Sequence, residues 1–102
     1  MIVFNVTTII EESIQAEYLT FMQQEHIPLV MATGAFTSSN LFLLTEPINE
    51  GITYCAQYIT DSEEKLENYR LNQSPGLQVH FKNKFDGKYV AFRSVLHLIK
   101  PV

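Results

Sequence analysis

The chain is predicted to be a single α+β domain of the ferredoxin-like type, βαββαβ, spanning residues 1–102, with a four-stranded antiparallel sheet that carries its helices on one face. Three observations lead there. Four segments alternate in hydrophobicity with the period of two that marks a strand. Two helical segments separate the first strand from the second and the third from the fourth. Between the central strands, Pro47-Ile48-Asn49-Glu50-Gly51 has the turn chemistry of a hairpin loop.

The first strand runs from Ile2 to Ile9, with Ile2, Phe4, Val6 and Thr8 on one side and Val3, Asn5, Thr7 and Ile9 on the other. From about Glu12 the period changes, and Ile14, Tyr18, Phe21 and Met22 fall at helical spacing behind Glu11 and Glu12, whose charge suits a helix N-terminus. Pro28 has no amide to donate, so the helix is expected to end near Glu25 or His26 and a second short helix to cover Leu29 to Thr33, with Gly34 as a left-handed cap. Phe36 to Thr45 and Ile52 to Thr60 form the hairpin. Asp61-Ser62-Glu63-Glu64 is expected to open the next helix, with Asp61 as cap and Glu64 closing a capping box. Leu66 and Tyr69 mark its buried stripe; Ser74-Pro75 repeats the cap-and-proline device, and Leu77, Phe81 and Phe85 continue at four-residue spacing. After the Asp86-Gly87 turn, Lys88 to Ile99 is the last strand, with Val90, Phe92, Ser94, Leu96 and Leu98 opposing Tyr89, Ala91, Arg93, Val95 and His97.

Composition narrows the function classes. A hydrophobic content of 46% with 18% charged residues and no low-complexity tract is that of a globular domain. The N-terminal residues carry no basic stretch of a secretory signal, and no apolar run approaches the roughly 20 residues of a membrane helix, so the expectation is a cytoplasmic protein without membrane association. The one cysteine, Cys55, excludes an internal disulfide and reads as a small strand hydrophobe. Charge is segregated: all seven basic residues follow Glu64, and nine of the eleven acids lie at or before it. With a net charge of -4, nucleic acid is not an expected partner. Several strands are apolar on both sides, so the sheet face without helices calls for a cover, and a homodimer through that face is the economical solution.

His26 is the candidate catalytic residue, a proton-transfer group or ligand donor if its ring meets a cavity; the structural alternative is a bond to a carbonyl freed by Pro28. Arg93 is an obligate cation in a strand of Val, Ala and Phe, and needs either a carboxylate partner or an anionic ligand. Tyr54, Gln57 and Asn5 offer hydroxyl and amide groups as further ligand-binding candidates, beside the core-filling role that strand tyrosines usually have. His26, His80 and His97 form no metal-binding spacing, so neither a metal nor any other cofactor is expected. Phosphate loops, Gly-x-Ser-x-Gly elbows and His-Glu-x-x-His motifs are missing.

Four motifs together, the strand Ile2-Val3-Phe4-Asn5-Val6, Glu25-His26-Ile27-Pro28, Ala32-Thr33-Gly34-Ala35-Phe36 and Gly87-Lys88-Tyr89-Val90-Ala91-Phe92-Arg93, resemble a small bacterial family, domain of unknown function 4286 (DUF4286). His-x-Pro followed by Gly-x-Phe is similar, more loosely, to the dimeric α/β-barrel superfamily, with its EthD-like and antibiotic biosynthesis monooxygenase-like members. The resemblance implies a fold and a dimer, not an activity. Two functions stay open: a small-molecule binding or interaction module, and a cofactor-free monooxygenase or isomerase acting on an apolar small molecule, with or without an anionic group. The enzyme requires a cavity of roughly 300 Å³ reached by both His26 and Arg93.

Overall fold

The computed structural model describes residues 1–102 and contains one four-stranded antiparallel sheet in the order β2-β3-β1-β4. The strands are β1 (Ile2–Ile10), β2 (Ser38–Leu43), β3 (Ile52–Thr60) and β4 (Tyr89–His97). Between β1 and β2 lie a 3-10 turn at Glu12–Ile14, α1 (Gln15–Phe21), a π-helical turn at Met22–His26 and α2 (Ile27–Ala32). α3 (Glu63–Asn72) and α4 (Ser74–Phe85) connect β3 to β4. This is the expected ferredoxin-like order. β1 is central and pairs along its full length with β3 and β4.

Strand alternation decides what the helices cover. Ile2, Phe4 and Ile10 of β1 and Tyr54, Ala56 and Tyr58 of β3 point toward the helices, where Tyr18, Phe21, Met22, Val30, Leu66, Tyr69, Phe81 and Phe85 meet them in one core. The other sheet face carries Phe42, Val90, Phe92 and Leu96, each at least half exposed. A row of polar side chains in direct register, Asn40, Gln57, Asn5 and Ser94, crosses the middle of that face.

Local chemistry departs from expectation in four places. The chain does not break at Pro28. His26 and Ile27 both keep right-handed helical dihedrals, and the Ile27 amide bonds the Met22 carbonyl five residues back. Pro28 offers no amide to Gln24 and crowds its carbonyl, and one widened turn absorbs both effects without ending the helix. Ser62, not Asp61, caps α3: its hydroxyl accepts from the Lys65 amide at 3.1 Å, while Asp61 lies 3.7 Å from the terminal ammonium. The third helical position is then Lys65, which has no acceptor to close a capping box. Ser74 starts α4 from inside the core; its hydroxyl accepts from Gln78 Nε2 at 2.9 Å instead of capping an amide.

Finally, β2 and β4 are shorter than their alternating patterns. Phe36 leaves the strand alternation to stack on Phe4 and pack edge-on against Tyr69. Gly34 does take the left-handed conformation, with φ of 79°. At Gly51, also at 79°, an added Cβ would lie 2.6 Å from the Ile10 carbonyl oxygen.

Candidate functional site

Between the sheet and the helices is a cavity of about 160 Å³. Alternation along the strands supplies its floor: Phe4, Val6 and Thr8 from β1, Tyr58 from β3, and Tyr89, Ala91 and Arg93 from β4. Tyr69 of α3 and Ser74, Leu77, Gln78 and Phe81 of α4 form its roof, and His26 closes it from the π turn.

A π turn adds a residue to the helical circuit and rotates the residues beyond it, which is why such turns re-aim side chains. Here the His26 ring sits 5.8 Å from Phe21 and 5.5 Å from Phe81, centroid to centroid. It caps no helix end, and Nδ1 is buried with no hydrogen-bond partner. Burial lowers its pKa from 6.5 to about 4, with smaller contributions from His80 and the Arg93 cation. The imidazole is therefore neutral at physiological pH. Arg93, opposite Val6 in the sheet, is exposed at the mouth. The chain's two ion pairs, the terminal ammonium with Asp61 and His97 with Glu63, do not involve it.

Of the sequence candidates, His26 and Arg93 share this space, and the other three lie elsewhere. Tyr54 faces the helices outside the cavity, where its hydroxyl accepts from Gln15 Nε2 at 2.9 Å and its ring packs on Tyr18. Asn5 and Gln57 are register partners on the opposite face of the sheet. Asn5 donates to Thr7 and Ser94 there and is only 8% exposed.

The polar roof of the cavity has no counterpart among the sequence candidates. Tyr69 reads as a buried-stripe position, Ser74 as a helix cap, and Gln78 has no assigned role, yet all three line the cavity, where burial raises the Tyr69 pKa and the nearby Ser74 hydroxyl partly offsets the rise. The signal was present: Ser74 and Gln78 are four residues apart and share a helix face. A second groove of about 360 Å³ shares Phe4, Ser74, Gln78 and Arg93 with the cavity and adds Arg70, Ser94 and Val95. No acidic side chain lines either space, and no three His, Cys, Asp or Glu side chains gather as a metal site.

Comparison with known proteins agrees with this architecture. An EthD family protein from Bacillus halodurans superposes with a TM-score of 0.71 at 14% identity, covering 97% of this chain and 100% of that one. SnoaB from Streptomyces nogalater, described as a cofactor-independent oxygenase, gives 0.68 at 14% identity over 99% and 96%. A dimeric ferredoxin-like protein from an uncultured marine organism gives 0.69 at 9% identity over 100% and 98%. At these identities the likeness is one of fold. No curated protein matches the sequence. Residues 1–99 match the family described as "Domain of unknown function (DUF4286)", and the chain belongs to that family.

Proposed function

We propose that the chain is a small-molecule binding protein of the cytoplasm, active as a homodimer, whose site is the cavity between helices and sheet. The observation that carries this reading is a cavity with an uncharged imidazole in its wall and an unpaired guanidinium at its mouth. A site needs an apolar enclosure with a few convergent polar groups, and aromatic walls with His26, Arg93, Ser74 and Gln78 fit that description. At about 160 Å³ the cavity suits one six-membered ring. The second copy covers the open sheet face, where Phe92 is 54% and Val90 65% exposed. Apolar surface of that extent favours association, and the polar row through Asn5 and Gln57 sets the register of the two copies.

Thermal unfolding in the presence of a panel of single-ring compounds tests the cavity. A true ligand raises the midpoint of the native chain but not that of Ala91→Leu, which fills the space from β4. A panel without effect, or an equal effect on both proteins, overturns the reading.

A cofactor-free oxygenase or isomerase is the second reading, favoured by one observation. His26 borders the space a substrate would occupy and is neutral there, as a general base must be, while its pKa of about 4 makes it a weak one. SnoaB, which shares the fold, is described as a cofactor-independent oxygenase. Against it stands the enclosed volume, about half of what such an enzyme is expected to need. Dioxygen uptake or isomer formation with a bound ring compound, lost in His26→Gln while binding persists, decides between the two.

A further inference from the structure

We infer that the ligand class of this cavity is a small aromatic monocarboxylate, with its ring in the enclosed chamber and its carboxylate on Arg93 and Arg70 in the adjoining groove. The inference rests on the cavity being a ligand site and adds the chemistry of what enters it. Arg93 lines both spaces, and Phe4, Ser74 and Gln78 are common to both, so chamber and groove adjoin across these side chains. Arg70 reaches the groove from α3.

Neither guanidinium has a carboxylate oxygen within 4.0 Å, since the only ion pairs are at Asp61 and Glu63. Two like charges on one groove, with no acid in its lining, repel each other and raise the local concentration of anions. Each presents a planar fork of donors that matches a carboxylate. The chamber contributes the other half. Phe4, Tyr58, Tyr69, Phe81 and Tyr89 line it, and aromatic walls accept a ring by edge and face contacts. A cavity of about 150 Å³ holds a benzene ring, and this one is about 160 Å³. A free phosphate would occupy the groove alone and leave the chamber unused.

Isothermal titration with phenylacetate, its neutral analogue phenylacetamide and inorganic phosphate tests the assignment. The expected result is that phenylacetate binds at least tenfold more tightly than the amide, a preference that weakens with salt. R93Q abolishes that preference and R70Q reduces it several-fold. Both side chains are exposed, so both variants keep the native unfolding midpoint. Ala91→Leu abolishes binding of acid and amide alike.

Equal binding of acid and amide, or an unchanged preference in both arginine variants, overturns the carboxylate assignment while leaving the cavity as a ligand site. Phosphate binding as tightly as phenylacetate overturns the aromatic half. If neither ring compound binds, the assignment falls; a different ring compound from the thermal panel that still fails on Ala91→Leu then keeps the cavity reading alive.

Discussion

Replacing His26 by phenylalanine keeps a ring against Phe21 and Phe81 and removes the one histidine whose ionisation burial opposes. The imidazole titrates at about 4 in the folded chain against 6.5 when unperturbed, so the unfolded chain takes up the proton first as pH falls. Stability from this residue is complete above about pH 6.5 and drains away as pH drops toward 4. At about 1.36 kcal/mol per pH unit, the gap sets an upper figure of about 3 kcal/mol. The ring is partly exposed to the cavity, so about 2 kcal/mol is the expected loss after solvent screening.

Urea unfolding followed by circular dichroism, at steps from about pH 7 to about pH 4.5, measures it. The native chain should lose about 2 kcal/mol more than His26→Phe over that range. At about pH 7 the variant should be equal or more stable by about 1 kcal/mol, because the unpartnered Nδ1 is gone. Parallel stability curves for the two proteins would refute the buried, neutral imidazole.

Other perturbations address the frame around the site. Gly51→Ala adds a Cβ that meets the Ile10 carbonyl at 2.6 Å in a left-handed conformation, and should cost about 2 kcal/mol in urea unfolding with the fold retained. Phe92→Asp puts a charge on the open face of β4; if the proposed dimer forms through that face, light scattering should give twice 11.7 kDa for the native chain and the 11.7 kDa monomer for the variant. Burial raises the pKa of Tyr18 and of Tyr58, so stability from these phenols is present below pH 10 and drains as pH rises beyond it. Ultraviolet titration should show these two ionising only together with loss of far-ultraviolet ellipticity.

Much of the frame could be read from the chain because binary patterning with period two leaves little freedom. Once Ile2, Phe4 and Val6 share a face, register carries that face across β3 and β4, and Arg93 must point the same way as Val6. The side of the sheet that bears the helices is a tertiary outcome. That is why Asn5 and Gln57, credible as pocket residues by chemistry, lie on the opposite face from His26. Pro28 misled for a related reason. A missing amide predicts a helix end, but the chain found a local alternative in a wider turn, and that turn directs His26 to the cavity. Arg70 had no distinguishing mark in sequence, since a charged residue next to a buried tyrosine is the ordinary pattern of a helix flank.

On the proposed function, ligands enter between helices and sheet, not on the sheet's open face. Amide and histidine-ring nuclear magnetic resonance during a phenylacetate titration tests it most directly. Shifts should concentrate at His26, Leu77, Ala91 and Arg93, with Asn5, Gln57 and Phe92 unmoved. Shifts confined to Asn5, Gln57 and Phe92, with His26 and Arg93 silent, would contradict it.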